Sequence, residues 1–327
     1  MELENGYSGA VEHAAFFVHP APGYFRLSGA DRRAYLQRQT TNDITQLGPG
    51  RVLVTVLTSP AARILDVFTL IEQGDLIGIL TLPGQGEGTF RFLRSRIFFN
   101  DKVALEDASL EFSLVDVIGP MAPRFLESLG QIQDLQGDDL LVQHLGDQEL
   151  RVWQLPELGL RPTLRSGLRL LVPTQQLSRL RTSLRDFKSV KLSAEAYDLL
   201  RIEAGIPAPA HELTEEYTPL ETGLGAAISH TKGCYTGQEV IARQITYDKV
   251  TRQMVGLKLD VETRVGEDLR QIDTRQAIGK ITSATLSPRF GPIALGVVRK
   301  PYDQPGSQLL IGDALGGHPG LVIALPF

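Results

Sequence analysis

The chain has 327 residues, 42% of them hydrophobic and 22% charged, with a formal net charge of −5 and acidic and basic residues interspersed. That length exceeds one ordinary core and predicts two or three domains, and without a basic block or stripe no direct nucleic-acid partner is expected. No segment reaches the roughly 18 apolar residues of a membrane span, so no membrane partner is expected either, and a single cysteine can neither form an internal disulfide nor hold a zinc ion or an iron–sulfur cluster by itself.

The first twenty residues carry Glu2, Glu4 and Glu12 with no basic stretch, which argues against a secretory signal or a transit peptide. A reducing cytoplasm is the expected location. Tyr24-Phe25-Arg26-Leu27 predicts a short strand, and a helix is expected from about Asp31 through Gln37. Val52 to Thr58, apolar and β-branched between Gly50 and Pro60, reads as a buried strand. Ile64 to Leu70 is a second strand, and a Gly74-Asp75 turn leads to a third over Leu76–Leu80. The cluster Pro83-Gly84-Gln85-Gly86-Glu87-Gly88 predicts a loop, followed by a helix from Phe90 to Phe98 carrying Arg91, Arg94 and Arg96. Its glycines lack the G-x-G-x-x-G spacing behind a strand, so it is no dinucleotide fingerprint. Strands are expected over Lys102–Leu105 and Phe112–Ile118.

Residues 121–190 read as an α/β layer, with helices near Ala122–Leu129 and Leu177–Leu184 and strands around Leu140 and Leu150–Trp153. The clearest helix lies between Lys191 and Gly205, with Ser193 as N-cap, Glu195 in the first turn and Pro207 barring continuation. Its apolar face is Ala196, Leu199 and Leu200, and the next position on that face is Glu203. A carboxylate there is costly to bury unless an arginine or a polar ligand holds it. Residues 206–231 predict an extended loop. Beyond residue 250, short strands over Met254–Leu259, Ala277–Leu286, Ile293–Arg299, Gln308–Ile311 and Leu321–Leu325, parted by Gly, Pro and Asp turns, suit a small barrel.

The densest motif is Lys232-Gly233-Cys234-Tyr235-Thr236-Gly237-Gln238-Glu239, which holds the only cysteine and opens onto Val240-Ile241-Ala242-Arg243. A helix N-terminus and Lys232 would both favour thiolate over thiol; a small buried hydrophobe is the competing reading. Glu239 and Arg243, four apart, suit a local ion pair. His230 and His211 are the histidines nearest a hydrolase-type partner for the thiol, and neither sits in a recognisable arrangement.

That octet resembles the signature of YgfZ-type proteins, bacterial relatives of the mitochondrial Iba iron–sulfur assembly factors. The resemblance extends to Gly29-Ala30-Asp31-Arg32 with Thr41-Asn42-Asp43, to Leu200-Arg201-Ile202-Glu203-Ala204-Gly205, and to Gly279-Lys280-Ile281 with Ala294-Leu295-Gly296. It implies an α+β fold like the T-protein of the glycine cleavage system, a three-domain ring around a central folate cavity. Two interwoven domains would fill residues 1–248 and a small β-barrel residues 249–327. Tetrahydrofolate, or a one-carbon derivative, is the implied cofactor. Glu203 corresponds to the acid of the T-protein's Arg-Leu-Glu-Ala-Gly segment and would meet the pterin, with Asp66 and Arg243 completing the cofactor-binding set. Ala62-Arg63-Ile64-Leu65-Asp66-Val67 resembles the strand bearing the T-protein's catalytic aspartate, but the YgfZ pattern places its acid one residue later, at Val67. One step along a strand reverses the side chain, so Asp66 either enters the cavity or is incidental.

The resemblance implies a folate-binding accessory protein for iron–sulfur cluster assembly or repair, serving enzymes such as the radical enzymes that modify tRNA. Cys234 would be its functional thiol, a transient cluster ligand or a redox group, with Lys232 lowering its pKa. Folate and iron–sulfur enzymes or assembly proteins are the implied partners of what is expected to be a monomer. The alternative is a folate-dependent aminomethyltransferase or demethylase using Asp66; a scaffold that merely inherits the cavity is a third reading.

Overall fold

The computed structural model describes residues 2–130, 135, 137–155, 167–313 and 316–327. The chain opens on α1 (Glu2–Glu12) and β1 (Ala15–Val18). Neither is predicted above, because Gly6 and Gly9 interrupt the helical pattern. Those glycines serve packing: a Cβ on Gly9 would lie 2.8 Å from a Val190 methyl, so their absence of side chain lets α1 lie close on the chain beneath it. Then follow β2 (Tyr24–Ser28), α2 (Arg32–Gln39), β3 (Val52–Thr58), β4 (Ile64–Glu72) and β5 (Leu76–Leu80), close to the sequence expectation. Next, α3 (Gly86–Ser95) begins four residues early and stops before Phe98. Its buried Thr89 and Leu93, one turn apart, anchor the glycine-rich first turn that composition alone marks as loop.

The chain continues through β6 (Ala104–Asp107), β7 (Phe112–Ile118), α4 (Ala122–Ser128), β8 (Leu141–Leu145), β9 (Gln148–Gln154), β10 (Leu168–Pro173), α5 (Leu177–Asp186), β11 (Val190–Lys191) and α6 (Ala194–Glu203). Ser193 caps α6 as expected, its hydroxyl accepting from the Ala196 N–H. A long loop leads to α7 (Gln238–Thr246). Six strands complete the chain: β12 (Arg252–Leu259), β13 (Asp268–Arg270), β14 (Ala277–Ser287), β15 (Gly291–Arg299), β16 (Gln308–Ile311) and β17 (His318–Ile323).

Pairing sorts these strands into two sheets and a barrel. The first sheet has the order β11-β1-β7-β10-β9-β8, the second β3-β4-β5-β2-β6, and β12-β15-β14-β13-β16-β17 close on themselves. The fold is thus mixed α and β with a C-terminal closed six-stranded barrel. Because β1 joins the first sheet before the second sheet is built, and β7 returns to it afterwards, the two sheets are interwoven in sequence. The barrel core, with Leu257, Leu269, Ile281 and Val322, is separate from the cores of the sheets.

Helix α6 ties the three parts together. Ala196 and Leu200 pack with Ala10 and Leu192, beside α1. Glu203, on the same side, accepts hydrogen bonds from Tyr7 of α1 (3.0 and 3.2 Å) and from Ser287 of β14 (2.5 Å). Two hydroxyls hold this carboxylate, and Arg289 lies near enough to act on its charge. Burial raises its pKa, and the Ser287 and Tyr7 bonds work against that rise. Replacing Glu203 with Ala should lower unfolding stability by about 1–3 kcal/mol through the two stranded hydroxyls. Glu203→Gln, which still accepts from both, should cost clearly less in a denaturant titration; equal losses would contradict the joint.

Candidate active site

Where the two sheets meet α6 and residues 206–213, they enclose a cavity of about 640 Å³. The second sheet contributes Val54, Val67, Thr69 and Leu80, while Phe17 and Leu114 come from the first. Strand periodicity decides which residues face it. On β4, Val67 and Thr69 line the cavity, whereas Phe68 and Leu70 pack with Tyr35, Leu36 and Leu93 on the opposite face.

Two polar networks are set into this apolar wall. In the first, the buried Asp116 of β7 accepts from His19 Nε2 (2.8 Å), from Arg169 Nε and Nη2 (both 2.8 Å) and from the Tyr197 hydroxyl (2.7 Å). Burial alone would raise the Asp116 pKa, but Arg169 and His19 outweigh it and hold the carboxyl below the usual range. Burial and Asp116 together push the Tyr197 hydroxyl upward, so it stays protonated and donates. Tyr197 also stacks on Phe17, with ring centroids 4.3 Å apart.

The second network centres on Arg201 of α6. Its Nε donates to Asp198 (2.6 Å) and its Nη1 to the buried Glu212 (3.2 Å), while Nη2 finds no partner among the described residues. Glu212 also accepts from the Ala208 N–H and from Ser283 of β14. Beside it, His211 Nδ1 lies 2.8 Å from the Thr282 carbonyl. A carbonyl can only accept, so Nδ1 carries the proton and Nε2 of the neutral ring keeps its lone pair. Arg169, Tyr197, Asp198, Arg201, His19 and His211 all line the cavity.

The residues singled out from sequence lie elsewhere. Asp66 does not line the cavity. Its carboxylate accepts from the Val67 and Leu82 N–H groups (2.7 and 3.1 Å) and from the Thr89 hydroxyl (2.6 Å), beneath α3. The neighbouring position, Val67, is the one that lines the cavity. Glu203 lies off the cavity: on α6, Ala194, Glu195, Tyr197, Asp198, Leu200 and Arg201 line it, whereas Ala196, Leu199 and Glu203 do not. Arg243 is exposed on α7 and donates to Glu239 (3.2 Å), the local pair expected from their spacing.

Cys234 is exposed, on the loop ahead of α7 rather than within its first turn. The loop is pinned from both sides. Thr58 donates to the Thr236 carbonyl (2.6 Å), and Gly237 adopts φ +85° where a Cβ would lie 2.8 Å from the Ser59 carbonyl. Lys232 is buried, and its Nζ donates to the carbonyls of Thr40 (2.7 Å) and Asn42 (2.6 Å). Burial pulls the Lys232 pKa down to about 8 against the opposing pull of Asp43. Its ammonium therefore serves first as a clamp between the octet and the segment after α2.

A family profile described as the GCVT N-terminal domain matches residues 10–232, and one described as the glycine cleavage T-protein C-terminal barrel domain matches residues 252–327. A putative chloroplastic transferase of Arabidopsis thaliana is 30% identical over 304 residues, covering 90% of this chain and 67% of the relative. An aminomethyltransferase of Chlorobium chlorochromatii is 26% identical over 338 residues, covering 98% and 90%. The crystal structure of the glycine cleavage system aminomethyltransferase T from Bartonella henselae superposes with a TM-score of 0.87 at 21% identity, over 99% of this chain and 89% of that one, which establishes the shared fold.

The buried Asp66 generates a pH prediction. Burial outweighs its three hydrogen bonds and pushes its pKa up to about 7 from 3.8. The fold therefore favours the protonated form, and stability is lost as pH rises from about 4 to about 7. Asp66→Asn keeps an acceptor for the two N–H groups and removes the charge. Its melting temperature should exceed that of the parent chain by a margin that is near zero at about pH 4 and grows up to about pH 8. A margin independent of pH, or one that shrinks, would contradict the placement.

Proposed function

Because the chain belongs to the glycine cleavage T-protein family in both its N-terminal and barrel domains, we propose that it binds a reduced folate in the cavity and acts there as a one-carbon group transferase. The observation that carries this reading is the pairing, in one largely apolar wall, of the Asp198 carboxylate with the Arg201 guanidinium, whose Nη2 lacks a partner among the described residues. The edge of an aminopterin offers paired N–H donors beside a carbonyl. A carboxylate next to a guanidinium answers that pattern with an acceptor and a donor. The flat, stacked Phe17 and Tyr197 rings suit an aromatic ligand beside them.

A reduced folate, when bound, supplies a ring nitrogen able to carry a one-carbon unit. The chain's own part is to orient the ligand, to exclude water and to move protons. With Asp66 turned under α3, the proton acceptor this reading assigns to the cavity is His211 Nε2, held in register by the Thr282 carbonyl. The transferase alternative thus stands without Asp66 as its acid. Calorimetric titration with tetrahydrofolate is the test. The parent chain should bind, Asp198→Asn should weaken binding about tenfold through loss of a charged hydrogen bond, and Glu203→Gln should leave it unchanged. Binding that is absent, or that depends on Glu203 rather than Asp198, would overturn the assignment.

A second reading, an accessory role in iron–sulfur cluster assembly or repair in the cytoplasm, is favoured by the exposed thiol of Cys234 on a loop fixed by Lys232 and Thr58. One thiolate needs partner ligands to complete a cluster, and a rigid exposed loop can offer it to them. Cells lacking the protein should then lose activity of a cluster-dependent tRNA-thiolating enzyme, restored by the parent chain and not by Cys234→Ser. Full rescue by Cys234→Ser would remove the thiol from the function.

A further inference from the structure

On the face of the second sheet that carries α3, the chain passes from helix to β6 through the turn Phe98-Phe99-Asn100-Asp101. Its apex is apolar and outward: Phe98 is 60% exposed and Phe99 fully exposed at 103%. Such exposure calls for an explanation, since the turn is stiff. The Asp101 N–H donates to the Phe98 carbonyl (3.0 Å), and the Asp101 carboxylate accepts from the Phe98 N–H (3.0 Å) and twice from Arg38 (2.8 and 2.9 Å). The rings are held out by a braced backbone.

Cations flank this apex along the chain, with the Asp31 carboxylate accepting from the Lys102 N–H (2.8 Å) on one side. Arg91, Arg94 and Arg96 are exposed at the end of α3 and just beyond it, and Lys102 is exposed on the other side. Between Glu87 and Lys102 only Glu87 and Asp101 are acidic, and both are engaged, Glu87 near Arg91 (3.5 Å) and Asp101 with Arg38. This positive, aromatic tip stands on a chain whose net charge is −5.

We propose that the Phe98–Asp101 turn is a peripheral membrane contact: the two phenylalanines enter the interfacial layer of a bilayer while Arg94, Arg96 and Lys102 meet anionic headgroups. Aromatic rings favour that layer, and cations close behind them are drawn to a negative leaflet. A bilayer is favoured over a protein partner by shape. The apex is a single convex turn, which a compliant lipid surface receives without a preformed recess, whereas a protein would need a socket for two rings with an acidic rim. No helix among the described residues is long and apolar enough to cross a membrane, and this contact requires none.

The test uses the full chain and sedimenting vesicles, one set half phosphatidylglycerol and half phosphatidylcholine, the other phosphatidylcholine alone. At about 0.15 M salt the bound fraction should be at least roughly fivefold higher on the anionic vesicles. The Phe98→Ser/Phe99→Ser double variant, altered only at exposed positions, should keep its melting temperature and fall to the neutral-vesicle level. In Phe99→Trp, emission should shift to the blue on anionic vesicles, against the constant signal of the buried Trp153. Absent binding to anionic vesicles, with or without capture of an acidic protein by the same tip, would overturn the proposal. Undiminished binding of the double variant would overturn it too, by showing adsorption through charge alone.

Discussion

A buried guanidinium holds this molecule together at its centre. Arg201 reaches from α6 to Glu212 in the loop that follows, and Glu212 in turn accepts from Ser283 of the barrel. Both charges are almost wholly removed from water, with side-chain exposures of 6% and 0%. Losing either partner would strand the other at a cost of about 3–5 kcal/mol. The contact ties the barrel to the loop whose neighbouring residues His211 and Leu213 line the cavity between the two sheets. Such a network is an expensive way to gain stability. Its use here is positional, since the same Arg201 side chain that braces the junction also holds Asp198 at the cavity wall, with a donor that has no partner among the described residues.

The Asp116 network performs the matching task on the other wall. One carboxylate accepting from His19, Arg169 and Tyr197 locks residues of β7, β10, α6 and the end of β1 into one arrangement. Tyr197 and Asp198 are consecutive on α6, so the two networks meet on one helix. The chemistry this arrangement supports is that of a shaped, mostly apolar pocket with few fixed polar groups. The octet lies apart from it. Lys232 and Gly237 fasten the Cys234 loop to the segment after α2 and to the β3–β4 turn, and Cys234 is presented on the surface rather than to the cavity. The molecule therefore carries two separate candidate functions on one scaffold, one enclosed and one exposed.

Much of the fold was legible in the sequence because it rests on local pattern. β3 and β5 fall at the expected residues, the Ser193 cap begins α6, and the strand spacing after residue 250 does close into a barrel. The misses have physical causes. α1 is stabilised by packing on α6 and β11 rather than by propensity, and the first turn of α3 looks like a loop until Thr89 and Leu93 are seen to anchor it. Periodicity rightly placed Glu203 on the packed face of α6, but Glu203 there meets α1 and the barrel, while Tyr197, Asp198 and Arg201 line the cavity. The spacing of Asp198 and Arg201, three apart on a helix, is the local signal for this pair, and Arg201 shares the family motif that contains Glu203. Asp116 and His19 are 97 residues apart and meet only because β1 pairs with β7, so no local pattern could have joined them.

Under the proposed function, the folate sits in the cavity between the sheets, against Asp198 and Arg201 and apart from the octet. A crystal structure of the chain grown with tetrahydrofolate would test it most directly. Density for the pterin is expected in the cavity, with its amino edge on Asp198 and an acceptor within hydrogen-bond distance of Arg201 Nη2. A pterin bound beside Glu203 or at the Cys234 loop, with the cavity holding only water, would contradict it.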